Sequence, residues 1–154
     1  MNIIEDTGQK QGKHANIHAA FKKNGDKMVR CKLPFGDYAA SYTVSVDTKQ
    51  DLIEIGNNLC GAKTERERFI REEKLAQDME SKLIFLIEQD GIKVKEDLIG
   101  MEIALKNKKV ISGEQLYKAM VMHEHKYGSS FEFCAPSETG ERIKILLQQG
   151  EGGT

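Results

Sequence analysis

The chain has 154 residues, 39% of them hydrophobic, two prolines and a formal charge of -1. That length and apolar fraction suit one globular domain with a sizeable core, and the balanced charge excludes a polycation that coats nucleic acid indiscriminately. No apolar run approaches the roughly 18 residues of a membrane span, and the polar N-terminus lacks a signal-peptide core. The three scattered cysteines, Cys31, Cys60 and Cys134, form no C-x-x-C pair, so the expectation is a soluble cytoplasmic protein with reduced thiols.

Taken in chain order, residues 2–5 read as a short apolar strand leading to Asp6. Residues 13–24 carry Ile17, Ala20 and Phe21 at helical spacing and stop at Asn24 and Gly25. This region is also basic: Lys10, Lys13, Lys22, Lys23, Lys27, Arg30 and Lys32 face the single acid Asp26 between residues 10 and 32. The patch suits either a phosphate backbone or plain solubility. A strand over 28–33 follows, then a turn forced by Pro34, Phe35 and Gly36. The β-branched alternation from Tyr42 to Val46 predicts a strand ending at Asp47.

Beyond it, Leu52, Ile55 and Leu59 form the stripe of a helix that leaves at Cys60 and Gly61. Thr64 and Glu67 are spaced as a capping box for a highly charged helix running to about Glu80. Residues 82–87 are continuously apolar, which suits a central strand buried on both faces. Residues 89–110 have no clear period. Ser112 and Gln115 form a second capping box, opening a helix with Leu116, Ala119, Met120 and His123 on one side and an end at Tyr127 and Gly128. Residues 131–134 read as a strand, Pro136 opens a last helix through Leu147, and 150–154 read as a flexible tail. The alternation predicts an α/β fold, a mixed central sheet flanked by helices on both faces.

One segment carries chemistry. Asp37 follows Gly36, and further on Asp47 and Lys49 stand at i and i+2, which on a strand puts both on one face. The same acid-x-lysine pattern recurs at Glu72/Lys74, Glu80/Lys82 and Glu124/Lys126. Two of these lie in helical segments, where i and i+2 diverge, and the third straddles a helix-to-strand junction. Two carboxylates and an ammonium can hold a hard cation and an attacking water against a phosphodiester; a solvated charge pair is the competing reading. Asp6, ending its strand, can cap the turn that follows. His14 and His18 have an i, i+4 zinc spacing but no third ligand nearby, so a helix-surface pair is the simpler account.

Four parts in order resemble the nuclease domain of the XPF family of structure-specific endonucleases, within the PD-(D/E)XK restriction-endonuclease-like superfamily. They are the strand ending in Asp6 and Thr7; Leu33, Pro34, Phe35, Gly36, Asp37 and Tyr38; the triplet Asp47, Thr48 and Lys49; and the arginine-bearing segment from Glu67 to Glu72, followed by an apolar strand closing on Glu88. The motif-bearing core spans about residues 3–90, with a C-terminal extension over about 101–149 that is similar to compact bacterial and phage members; together they make a single nuclease domain over 1–149. Gly8 and Gln9 replace the family's usual arginine and glutamate, Asp47 replaces the triplet's glutamate, and Thr48 replaces its arginine. No helix-hairpin-helix pattern follows.

The resemblance implies a restriction-endonuclease-like fold and a magnesium-dependent endodeoxyribonuclease acting on branched or flap-like DNA in repair, recombination or phage DNA processing. It implies Asp37 and Asp47 as ligands of Mg²⁺ or Mn²⁺, Lys49 as the residue orienting water, and Asp6 as a further catalytic carboxylate. Gln50, Arg68, Arg71, Lys10 and Lys13 would contact DNA, and Glu72 would support the site. The implied partners are DNA and a second copy of the chain as a homodimer, with no membrane and no nucleotide cofactor, in a bacterial or phage-infected cell. The alternative is an inactive nuclease-fold module that binds DNA or a protein.

Overall fold

The computed structural model describes residues 1–9 and 14–152. Its elements are β1 (Asn2–Glu5), α1 (Ala15–Lys23), β2 (Lys27–Arg30), β3 (Tyr38–Ser41), β4 (Val44–Lys49), α2 (Leu52–Cys60), α3 (Lys63–Asp78) and β5 (Lys82–Glu88). These are followed by β6 (Glu102–Ala104), β7 (Val110–Ser112), α4 (Gly113–Tyr127), β8 (Ser130–Cys134) and α5 (Thr139–Gly152). Six strands form one sheet in the order β2-β1-β3-β4-β5-β8, and β6 and β7 form a separate hairpin. The β1–β2, β4–β5 and β5–β8 pairs are parallel, while β3 runs antiparallel to both β1 and β4. The expected mixed sheet with helices on both faces is therefore present.

Strand β5 shows why the apolar run had to be continuous. Leu83, Phe85 and Ile87 point into a core shared with α2, α3, α4 and the β6–β7 hairpin, whereas Ile84 and Leu86 point into a second core with α1 and α5. Both faces are dry, so alternation disappears from the sequence. In β4 the alternation survives. Val44 and Val46 enter the α1/α5 core, and Asp47 and Lys49 take the opposite face, where Lys49 Nζ lies 5.6 Å from the centre of the Phe69 ring on α3.

Several expectations need correction. The strand expected from Tyr42 is the second half of a hairpin: β3 comes first, and the chain reverses at the exposed Tyr42, where Ser41 and Thr43 hydroxyls meet at 2.7 Å. Helix α3 starts at Lys63 behind Ala62, with no side-chain cap, so Thr64 and Glu67 do not form a capping box; Glu67 instead faces Lys63 at 3.8 Å. The second cap is present, since Ser112 Oγ accepts the Gln115 N–H at 3.0 Å. The silent stretch 89–110 holds a 3-10 turn (Lys95–Leu98) and β6, too short for a period to register. Helix α5 continues through Gly152, into the stretch expected as a tail, and Gly150 sits against Val44 where a Cβ would come within 2.7 Å.

Candidate active site

Three strand ends bring the carboxylates together. Asp6 follows β1, Asp37 precedes β3 and Asp47 lies in β4. The backbone fixes their order: the Asp6 N–H donates to the Asp37 carbonyl at 2.8 Å, and the Asp37 N–H donates to the Val46 carbonyl at 2.8 Å. Asp37 is thus at the end of a ladder rather than on a free loop. The turn before it needs Gly36, whose φ of +75° favours glycine and where a Cβ would lie 2.8 Å from Ser45 Cβ. The Gly36 N–H in turn donates to Glu72 Oε1 at 3.0 Å, so α3 braces the turn that carries Asp37.

Thr48 orients Asp37 directly. Its backbone N–H and its hydroxyl donate to the same oxygen, Asp37 Oδ2, at 2.8 and 2.9 Å. Asp47 is buried, and Lys49 Nζ stands 3.6 Å from its Oδ2. Burial first, and then the neighbouring Asp37 carboxylate, push the Asp47 carboxyl well above the ordinary carboxylate range, against the pull of Lys49. Burial acts to lower the Lys49 pKa, but Asp47, Glu54, Glu72 and Asp37 outweigh it and hold the ammonium above the usual lysine value. The result is a buried Asp47 carboxyl whose ionisation is opposed, beside a lysine that stays charged.

Two grooves meet at Asp37 and Asp47. One, of about 420 Å³, runs past Thr48, Gln50, Glu54, Glu88, Gln9 and His14. The other, of about 510 Å³, runs past Lys49, Lys32, Arg68, Arg71, Glu72 and Asp6. Gln50 and the two arginines are therefore brought to the site by the fold. Asp6 lines the second groove, yet both its oxygens are engaged: Oδ2 accepts the Gly8 N–H at 3.0 Å and Oδ1 the Leu33 N–H at 2.8 Å. That is a cap on two turns, with Lys32 Nζ 3.6 Å away. Lys10 and Lys13 lie outside the described residues.

Sequence reasoning missed a network behind the site. Buried Glu5 receives the Tyr38 hydroxyl at 2.9 Å and holds His18 Nε2 at 2.5 Å, so His18 is not half of a zinc pair with His14. Arg30 lies 3.4 Å from Glu5 and donates to the carbonyls of Thr7 and Gln9 at 3.2 and 2.5 Å, tying down the turn that lines the first groove. Glu73, on the highly charged α3, is buried and joins His123 Nδ1 at 2.6 Å and the Ser129 hydroxyl at 2.7 Å. No spacing in the sequence links residues so far apart.

The donor set at the grooves' junction suits a hard cation. Asp37 and Asp47 offer oxygen only, among the described residues no third His, Cys, Asp or Glu joins a metal-holding group, and Thr48 engages one of Asp37's two oxygens. Magnesium, which keeps several waters and takes one or two carboxylates, is accommodated by such a sparse set.

No family model matches the sequence, and no curated protein matches it closely. Solved structures do match. XPF from Aeropyrum pernix superposes with a TM-score of 0.70 at 15% identity, covering 98% of this chain, and the same protein in complex with DNA superposes with a TM-score of 0.68 at 16% identity. The fold is that of an XPF-type nuclease domain. The chain spans 65% of the length of the Aeropyrum XPF chain. Among the described residues no helix is long and apolar enough to cross a membrane.

Proposed function

We propose that the chain is a metal-dependent DNA endonuclease that hydrolyses phosphodiester bonds in branched or flap-like DNA, in repair, recombination or phage DNA processing, in the cytoplasm of a bacterial or phage-infected cell. The observation that carries this reading is the meeting of Asp37, Asp47 and Lys49 at the junction of two grooves, with Arg68 and Arg71 lining one of them. Its support is the XPF-type fold, seen also in a solved complex with DNA.

Asp37 and Asp47 would hold Mg²⁺ or Mn²⁺, which supplies Lewis-acid stabilisation of the phosphate and of the attacking water. The chain's own groups do the rest. Lys49, kept charged by its acidic neighbours, donates hydrogen bonds to the attacking water and offsets charge as the new P–O bond forms and one ester P–O bond breaks. Thr48 holds Asp37 in one orientation, and Glu72 holds the turn before it. Arg68, Arg71 and Gln50 position neighbouring phosphates. Asp6 acts through the backbone, fixing the segments around residues 8 and 33.

The test is cleavage of labelled flap, splayed-arm, four-way-junction and linear duplex DNA with Mg²⁺, Mn²⁺ or EDTA, with Asp47→Ala in parallel. The expected result is metal-dependent cutting of a branched substrate that Asp47→Ala abolishes. Binding without cutting under either metal overturns the reading in favour of an inactive module, and cutting that survives Asp47→Ala overturns the site.

A further inference from the structure

The β6–β7 hairpin takes no part in the proposed chemistry, yet it stands beside the site. Its inward residues Ile103, Leu105 and Ile111 are buried in the core shared with α2 and α3. Gly56 of α2 permits this closeness, because a Cβ there would lie 2.9 Å from Leu105 Cδ2. The tip is tightly closed. The Leu105 N–H donates to the Lys109 carbonyl at 2.8 Å, the Lys108 N–H to the Leu105 carbonyl at 3.0 Å, and the Lys109 N–H to Asn107 Oδ1 at 3.0 Å. Lys108 adopts a φ of +67°, a conformation in which a non-glycine residue costs about 1–2 kcal/mol.

This anchored tip presents Lys106, Lys108 and Lys109, all exposed, and residues 103–111 contain no acid. Lys106 lines a third groove, of about 290 Å³, in which Lys49, Arg68 and Lys106 stand among Glu54, Glu65 and Glu72. That groove shares residues with the arginine-lined one and so continues it, between α2 and α3, away from Asp47. Lys109 lines a separate groove with Arg66 of α3. Lys49, Arg68 and Lys106 thus lie along one groove that starts beside the reacting centre and ends at the hairpin tip.

We infer that the β6–β7 hairpin is a second nucleic-acid contact, in which Lys106, Lys108 and Lys109 hold the phosphate backbone of the duplex arm flanking the phosphodiester at Asp37 and Asp47. The inference rests on the nuclease reading of that site. Continuity with the site argues for nucleic acid over an acidic protein, which would need no link to the reacting centre. A duplex is indicated because the tip has lysines and no aromatic residue: it offers charge to a backbone but no ring on which unpaired bases stack.

The experiment compares wild type with the triple variant K106Q/K108Q/K109Q and with K74Q/K82Q/K118Q, which removes the same charge elsewhere. Fluorescence anisotropy in EDTA reads binding to a splayed-arm substrate and to a single strand of equal length across a salt series. The hairpin variant is expected to lose about two to three units of the log K against log salt slope, and about tenfold or more in splayed-arm affinity, with single-strand binding within about twofold of wild type. K106R alone should restore most of the K106Q deficit. Equal losses in the two triple variants, an unchanged slope, or an equal loss on single strands overturns the inference. Cleavage with Mg²⁺ run alongside separates the two readings: a cutting enzyme indifferent to its hairpin refutes the hairpin alone, and lysine-dependent binding by a protein that cuts nothing refutes the nuclease alone.

Discussion

Thr48→Val tests how the site is held. Valine keeps the β-branched shape that suits β4 and the backbone N–H that donates to Asp37 Oδ2 at 2.8 Å, and removes only the hydroxyl that donates at 2.9 Å. A hydrogen bond to a charged group is worth about 1.5–3 kcal/mol, but Thr48 is half-exposed, so water replaces part of it and about 1 kcal/mol is the expected loss. For a chain of this size that lowers Tm by roughly 2–4 °C. The functional effect should be larger, because partners that orient a metal ligand typically control about 10–100-fold in metal affinity. Half-saturating Mg²⁺ in the cleavage assay, and Mn²⁺ affinity by calorimetry, should weaken by that factor, with Thr48→Ser close to wild type. If Thr48→Val melts slightly lower but keeps its metal dependence within about twofold, the hydroxyl is incidental and Asp37 is held by the backbone alone.

Gly36→Ala must adopt a left-handed conformation and press a methyl group onto Ser45, so it should cost at least about 2 kcal/mol and slow cleavage by displacing Asp37; an unchanged melting curve refutes this. His123→Ala leaves Glu73 buried with one partner instead of two, an expected loss of about 3 kcal/mol, or roughly 6–12 °C by circular dichroism, whereas Ser129→Ala should cost about 1 kcal/mol. Asp26 lies 3.0 Å from Lys144 Nζ; burial opposes its ionisation, but Lys144 and the terminal ammonium outweigh it and hold its carboxyl below the usual value of 3.8. Its contribution is therefore present above the unfolded value and lost as pH falls through the lower folded one, so Asp26→Asn should melt about 1–3 °C below wild type at pH 7 and match it at strongly acid pH. A difference that persists unchanged in acid refutes the assignment.

What was legible in the sequence followed from local physics. The period-2 alternation in Val44 and Val46 survives because one face of β4 meets the α1/α5 core, and the same parity puts Asp47 and Lys49 together on the other face. The decoys fail for the same reason: Glu72/Lys74 and Glu124/Lys126 sit on α3 and α4, where i and i+2 cannot converge. The β3 strand was illegible because its four residues, Tyr38 to Ser41, carry two alanines and no alternation; what makes them a strand is pairing with β1 and β4 on either side.

The illegible part of the site is polar and long-range, and one principle accounts for it. A buried carboxylate must find donors, but nothing requires them to be near in sequence. Glu72 and Glu73 are neighbours with opposite fates. Glu72 reaches across to Gly36 at the reacting centre, while Glu73 turns inward to His123 and Ser129. The two side chains lie about 100° apart around α3, so fixing Glu73 in the core fixes the rotation of the helix. That rotation turns Arg68, Arg71 and Glu72 toward Lys49 and Asp47. The highly charged helix is therefore keyed by one buried acid, and the arginines depend on that key for their aim.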